Sequence, residues 1–284
     1  MSDTARPIAS VIVPAHDEER SIGRLLQGLT TAAGEQGLEV IVVPNGCTDA
    51  TAARAAAFPH VQVIEIPESS KLLAMRGGSA VATVFPRVYV DADVEIDAES
   101  VLGLVDALRS GTVHACGPSR HYALDGVSRL ARWYYDVWQE LPQAREGLFG
   151  RGVIALSEEG HRRFEGAAEA MADDLLLSEL FSPEERRVVE TASVVVYPAR
   201  TLPALLRRRV RVRTGNAQAD AGRWRSASAR TRPATLIGVV RRRPSLALKM
   251  PVFVGVAVLS SYRARRAVRH GDFTSWLRDE SSRT

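Results

Sequence analysis

The segment Arg87-Val-Tyr-Val-Asp-Ala-Asp-Val-Glu-Ile96 sets a short β-branched and aromatic run directly before two aspartates. The run predicts a buried strand over Val88–Val90 that delivers Asp91 and Asp93 at its end. Side chains two residues apart in an extended chain point the same way, so the two carboxylates can grip one hard cation. Mg2+ or Mn2+ takes oxygen ligands and is commonly held by one or two carboxylates plus substrate phosphates, which points to handling of a nucleotide diphosphate. A solvated strand end is the plainer reading of an isolated Asp-x-Asp, and the neighbouring segments must decide between the two.

Working outward, Ala9–Pro14 is a compact apolar run, and Glu19–Thr31 carries Ile22, Leu25, Leu26 and Leu29 at helical spacing. Leu38–Val43 is a second β-branched run stopped by Pro44-Asn45-Gly46, after which Thr48 or Asp49 can cap an alanine-rich helix through Ala57. Val61–Ile66 reads as a third strand and Lys71–Ala82 as a third helix. Strand and helix alternate, which predicts an α/β fold with a mainly parallel sheet wrapped by helices. In such sheets ligands lie beyond the carboxyl ends of the strands, so His16–Glu18, Asn45–Asp49 and Asp91–Asp93 are expected to converge on one crevice. Beyond Ala98 the alternation weakens to a helix over Ser100–Leu108, a short strand over Val113–Gly117 and a helix over Val127–Leu141. The cluster Trp133, Tyr134, Tyr135 and Trp138 reads first as core and second as a platform for stacking sugars. Gly147-Leu-Phe-Gly-Arg-Gly152 lacks the strand-to-helix setting of a dinucleotide fingerprint and suits a backbone loop that approaches a ligand closely.

The chain has 284 residues, 45% hydrophobic and 25% charged, enough for one large α/β domain or two modest ones. Its net charge of +4 hides a division: residues 1–199 hold 17 basic against 29 acidic residues, and residues 200–284 hold 20 against 4. The basic segment suggests an anionic partner, a membrane leaflet or a diphosphate-bearing lipid, and not nucleic acid, for which no binding motif accompanies the charge. Leu246–Tyr262 is apolar but interrupted by Lys249, Pro251 and Gly255, too broken for a transmembrane helix and suited to a membrane interface or a buried helix with a basic rim. Cys47 and Cys116 are too few for a disulfide framework and form no metal-ligand pattern, so a reducing cytosol is expected. Met1–Ala9 is polar and lacks the apolar centre of a signal peptide.

Four ordered segments across roughly residues 8–215 resemble an inverting glycosyltransferase of family 2 with the GT-A fold. Ser10-Val-Ile-Val-Pro-Ala-His-Asp-Glu-Glu19 is similar to the opening strand and loop beside the nucleotide base, and Val42-Val-Pro-Asn-Gly-Cys-Thr-Asp49 to the second nucleotide loop. Asp91-Ala-Asp93 resembles the metal-binding Asp-x-Asp, and Ala172-Asp-Asp-Leu-Leu-Leu-Ser178 the acidic segment whose second acid is the catalytic base. The resemblance implies a Rossmann-like mixed sheet flanked by helices over residues 1–199; residues 200–284 read by their charge as a basic, largely helical extension, either at a membrane interface or buried with a basic rim. It implies Mg2+ or Mn2+ on Asp93 and Asp91, Asp174 as base and Asp173 as a structural or acceptor-binding neighbour. The donor would be bound by Pro14, Ala15, Glu18, Asn45, Asp49, Lys71 and Asp91.

The implied roles fit the chemistry. Breaking the bond from an anomeric carbon to a diphosphate builds negative charge on the leaving oxygen, which a bound cation neutralises. A carboxylate on the opposite face takes the acceptor hydroxyl proton, and single displacement with one base gives inversion. The plainer reading of Asp173 and Asp174 is capping of the helix that Leu175–Leu177 begins, and that of His16 is a surface-loop histidine. Lys71 and Arg76 read equally as counter-charges to a diphosphate or as a solvated helix face. Arg207–Arg213 stands where the family carries a Gln-x-x-Arg-Trp-like element, with a poor match. Where the family has an acid that reads uracil, this chain has Pro44, so UDP, GDP and dTDP sugars stay open, with Asp49 or Glu18 as substitute contacts. The expectation is a cytosolic enzyme at the inner face of a membrane, with a hydroxyl acceptor that can be polyprenyl-diphosphate-linked, in glycan or cell-envelope polysaccharide synthesis. Its rivals are a sugar-phosphate nucleotidyltransferase, whose Gly-x-Gly-x-Arg signature is missing, and a catalytically silent module for nucleotide or anionic lipid.

Overall fold

The computed structural model describes residues 6–30, 37–166, 174–221 and 233–269. Two compact units emerge, each assembled from two segments: residues 1–121 with 148–196, and residues 122–147 with 197–284. A single cut near residue 199 was expected from the charge division. The described part of the second unit instead includes 122–147, whose side chains share a core with residues beyond 197.

The first unit is built on an eight-stranded mixed sheet. Its strands are β1 (Ala9–Ala15), β2 (Leu38–Pro44), β3 (Val61–Val63), β4 (Arg87–Val90), β5 (Val94–Glu95), β6 (Ala115–Tyr122), β7 (Val153–Leu156) and β8 (Arg186–Val196), in the order β3-β2-β1-β4-β7-β6-β8-β5. β1, β2, β3 and β4 run parallel, while β7 returns antiparallel to β4. The apolar runs are legible as strands because they are covered on both faces: every residue of β1 and of β4 is buried. β8 was not read from the sequence. Its polar residues face outward between Val189, Ala192, Val194 and Val196, and its charged start masks the alternation.

Helices α1 (Ile22–Thr30), α2 (Thr51–Ala56), α3 (Lys71–Val81), α4 (Ala98–Arg109), α7 (Glu158–Gly166) and α8 (Asp174–Glu179) belong to this unit; α5 (Arg129–Trp138) and α6 (Pro142–Glu146) intervene in the chain. α1 buries Ile22, Leu25, Leu26 and Leu29, the stripe seen in the sequence. α3 rests unusually close to the sheet: a Cβ on Gly78 would stand 2.5 Å from Ile12 Cγ2 and 3.1 Å from Val43 Cγ2. Glycine there lets the helix backbone approach β1 and β2, and so fixes where the start of α3 lies.

The second unit is helical: α5 and α6 with α9 (Leu202–Ala221), α10 (Pro233–Arg242) and α11 (Met250–Arg269). Its core joins Tyr134 and Tyr135 of α5 to Leu205 of α9 and to Phe253 and Val256 of α11. Tyr134 stacks on Phe253 with ring centroids 5.1 Å apart, and the Tyr135 hydroxyl accepts from the Ala199 amide at 3.1 Å. Two of the four clustered aromatics are thus core, the first of the two sequence readings for them. Lys249 pairs with Asp136 at 2.7 Å, which explains one interruption of the apolar stretch.

Candidate active site

The order β2-β1-β4 with a common direction puts three strand ends along one edge, with Ala15 opposite Pro44 and Ile12 opposite Tyr89. The loops after β1 and β2 interlock there. Asn45 is buried and donates from its side-chain nitrogen to the Ala15 carbonyl at 2.8 Å, and its backbone amide donates to the same oxygen at 2.8 Å. Asp49 accepts from the Glu19 amide at 3.1 Å and from the Thr51 amide and hydroxyl at 3.0 and 2.5 Å. Glu18 is buried, accepts from the Ser21 hydroxyl at 2.5 Å, and its amide donates to Thr51 Oγ1 at 2.7 Å. Asn45, Asp49 and the Glu18 amide, at positions expected beside a nucleotide, therefore hold the two loops together, while the Glu18 carboxylate bonds Ser21 in its own loop.

A crevice opens beside them, lined by Pro14, Lys71, Met75, Tyr89, Asp91, Leu148, Gly152 and Leu177 among others, with about 400 Å³ of space continuous with solvent. Three residues expected at the donor, Pro14, Lys71 and Asp91, meet in it. Lys71 is the first residue of α3, whose N-cap Ser70 accepts from the Leu73 amide at 3.3 Å. Its Nζ lies 2.6 Å from Asp91 Oδ1, with the two side chains 39% and 30% exposed. Solvent screening at that exposure limits the pair to about 1 kcal/mol.

Asp91 leaves β4 into a turn at Ala92–Asp93, and the Val94 amide donates back to the Asp91 carbonyl at 3.4 Å. The extended geometry assumed for Asp91 and Asp93 therefore stops at Val90, and the turn, not strand alternation, sets their relation. Gly152, at φ +68, accepts the Asp91 amide proton at its carbonyl, 2.7 Å away. A Cβ on Gly152 would stand 2.5 Å from Val94 Cγ1 and 3.4 Å from Asp91 Cβ. The glycine-rich loop thus approaches the Asp91 carboxylate. Arg120 donates to the carbonyls of Gly150 and Phe149 at 3.0 and 3.4 Å, and buried Arg151 to that of Pro118 at 2.8 Å, so side chains anchor the loop's backbone.

Asp174 is the first residue of α8, and Leu177, one turn on, lines the crevice. Ser178 ties this helix to the loop by accepting from the Leu148 amide at 3.2 Å, and Arg186 donates to the Ser178 carbonyl at 2.6 Å. Asp173 and the side chain of Asp174 lie outside the described residues. Tyr89, behind Asp91, shares its hydroxyl with Ser79 at 2.7 Å and His161 at 3.0 Å, and burial pushes its pKa up to about 12. The residues that line the crevice without any sequence signal are apolar: Met75, Leu148 and Leu177 sit in helices and a loop whose periodicity reports only burial.

Residues 10–155 match the family model described as glycosyl transferase family 2, just over half of the chain. Solved structures share the fold. A mannosyltransferase from Pyrobaculum calidifontis, solved with GDP-Man and Mn2+, aligns at TM-score 0.59 and 20% identity over 94% of this chain and 80% of that one. A mycobacterial protein aligns at 0.54 and 20% identity over 76% and 75%. Glucosyl-3-phosphoglycerate synthase of Mycobacterium tuberculosis, with Mn2+, UDP-glucose and phosphoglyceric acid, aligns at 0.52 and 17% identity over 76% and 80%. No curated protein sequence matches the chain.

Proposed function

Because the chain belongs to glycosyl transferase family 2 and has the GT-A-type fold, we propose that the crevice transfers a sugar from a nucleotide diphosphate to a hydroxyl acceptor with inversion. The observation that carries this reading is the meeting of Asp91, Lys71 and the anchored glycine loop at the carboxyl edge of the parallel strands. Asp91 already accepts a cationic partner, the Lys71 ammonium, which supports reading its carboxylate as a place for a cation.

On this reading Asp93 and Asp91 hold Mg2+ or Mn2+, which as a Lewis acid neutralises charge on the departing diphosphate. Lys71, exchanged off Asp91, turns its ammonium to a diphosphate oxygen. Asp174 receives the acceptor hydroxyl proton while the oxygen attacks the anomeric carbon, and the bond to the diphosphate breaks on the opposite face. Asp173 positions it or the acceptor. Glu18, Asn45 and Asp49 act through the two loops they lock, which leaves the backbone of Ala15 and the ring of Pro14 to face the nucleotide. With Pro44 in place of an acid, the base is left to be found by assay, and GDP, UDP and dTDP sugars are the candidates.

Membrane contact belongs to the second unit. Among the described residues no helix is long and apolar enough to cross a bilayer. α11 nevertheless presents Val254, Val258, Leu259 and Tyr262 to solvent opposite its buried Phe253 and Val256, with exposed Arg263, Arg265 and Arg266 following. An apolar outer face beside arginines suits the surface of an anionic leaflet and a lipid-linked acceptor. The test is turnover of a nucleotide-sugar panel with Mg2+ or Mn2+ by the wild type, Asp93→Ala and Asp174→Asn. Each variant should fold and lose at least about a hundredfold in rate. Normal turnover by Asp174→Asn would remove it as base. For the membrane, Val258→Glu with Tyr262→Glu should release the full chain from anionic liposomes, and unchanged sedimentation would refute that contact.

A further inference from the structure

Outside the Lys71–Asp91 crevice, the two interlocked loops bring together a second set of donors. His16 and Asp17 follow β1, and Cys47 follows β2, thirty residues away. One ligand atom from each lies within 4.8 Å of the others. All three side chains are half-buried, and this is the one His/Cys/Asp/Glu trio of that compactness among the described residues.

Their surroundings orient them as ligands. His16 Nδ1 is 2.5 Å from the Asn45 carbonyl, which can only accept, so Nδ1 donates there and Nε2 is the nitrogen turned toward the other two ligands. Nε2 faces Asp17 Oδ2 at 3.8 Å and the Ser69 hydroxyl at 3.3 Å. Asp17, at φ +49, has its other oxygen held by the Thr48 amide at 2.7 Å and the Thr48 hydroxyl at 3.2 Å. Cys47 Sγ accepts from the Asp17 amide at 3.4 Å and lies 3.4 Å from the Ala15 carbonyl. Gly46 sits at φ +56 where an added Cβ would meet the Ser69 backbone nitrogen at 2.8 Å, so the loop that carries Cys47 is fixed against Ser69. A carbonyl on the far nitrogen of a histidine and hydrogen bonds on the spare oxygen of a carboxylate are the outer-shell supports metal ligands use.

We propose that His16, Asp17 and Cys47 form a binding site for Zn2+ or a similar borderline transition ion, separate from the carboxylates at 91 and 93. One imidazole, one carboxylate and one thiolate suit Zn2+ or Co2+, whereas Mg2+ and Mn2+ prefer all-oxygen sets. Bonds of roughly 2.0–2.3 Å give a tetrahedron with edges of roughly 3.3–3.7 Å, so side-chain rotations of about an ångström close the site. Binding releases the Cys47 proton to solvent; a thiolate, a carboxylate and a neutral imidazole then balance the dication. Three protein ligands leave a fourth position for water. Occupancy would clamp the loop after β1 to the loop after β2, and it depends on no reading of the transfer reaction.

The test uses the full-length protein stripped of metal, titrated with Co2+ and then Zn2+. The expected result is a thiolate-to-cobalt charge-transfer band in the near ultraviolet that Zn2+ displaces. Cys116→Ser should keep the band, because its thiol is fully buried elsewhere, while Cys47→Ser should lose it and bind Zn2+ at least about tenfold more weakly, as should His16→Gln. Zn2+ should also slow alkylation of Cys47 in the wild type, read by mass spectrometry, which decides the matter if a variant fails to fold. Absence of the band in the wild type, its survival in Cys47→Ser, or an alkylation rate indifferent to Zn2+ would overturn the proposal.

Discussion

Replacing Gly152 by alanine tests the link between the glycine loop and Asp91. Two costs can be read from the structure. At φ +68 an L side chain pays about 1–2 kcal/mol for the left-handed conformation. The new methyl would also stand 2.5 Å from Val94 Cγ1, inside contact distance of a buried side chain, and relieving that overlap costs about 1–3 kcal/mol. The sum, about 2–5 kcal/mol, is a large part of the stability of an ordinary domain. Only the second cost depends on Val94. Val94→Ala alone should lose roughly 2 kcal/mol by leaving a cavity, but it also clears the space the new methyl needs. The double variant should therefore be more stable than the sum of the single effects by about 1–3 kcal/mol. Both described tryptophans, Trp133 and Trp138, lie in the second unit, so their fluorescence would watch the wrong part of the chain. Urea titration read by hydrogen exchange in peptides spanning 87–96 and 151–156 follows the right one. Additivity within about 0.5 kcal/mol would refute the contact argument.

Lys71→Met removes the cation that competes for Asp91; with the pair worth about 1 kcal/mol, Mn2+ should bind the nucleotide-free protein about fivefold more tightly. Paramagnetic resonance of free Mn2+ measures this, and unchanged affinity would mean that Asp91 is not a ligand. His161, buried against Arg87, Tyr89 and Phe164, has its pKa lowered below the ordinary 6.5, first by burial and then by the Arg87 guanidinium. The unfolded chain thus binds its proton more readily, so stability rises with pH across this window. What His161 contributes is complete above about pH 6.5 and is lost as pH falls through that value toward the lower folded pKa. Urea midpoints should fall on acidification from about pH 7 to 5, and His161→Gln should flatten the slope; equal slopes would count against it. The Cys116 thiol, buried and pushed up to about 12, should ignore a thiol reagent near pH 8 that titrates Cys47. Ellman's reagent should count one thiol per native chain and two after denaturation.

Much of the first unit was legible in the sequence. β1, β2 and β4 are β-branched runs buried on both faces, and the helix begun by Lys71 ends within a residue of where its periodicity stops. β7 and β8 were not read: one is four residues long, and the other alternates buried apolar residues with charges and hydroxyls under an arginine-rich start. The segment 122–147 gave no sign of belonging with residues beyond 197, because shared core membership of Tyr135 and Phe253 leaves no local pattern. The aspartates at 91 and 93 announced themselves in the sequence, but the turn at Ala92–Asp93 did not.

By itself the sequence determined strands β1 to β4 and the helices between them, their parallel beginning, and the strand ends at which polar clusters fall. Those features follow from side-chain periodicity and turn chemistry, which neighbours along the chain decide. Only the tertiary structure decided the partners. It used Asn45, Asp49 and the Glu18 amide to lock two loops, set Lys71 on Asp91, and brought Cys47 to His16 and Asp17, which no spacing along the chain links. The physical reason is that sheet order, which pairs β1 edge to edge with β2 and β4, closes loops across thirty or more residues, and no local rule encodes which side chains then meet.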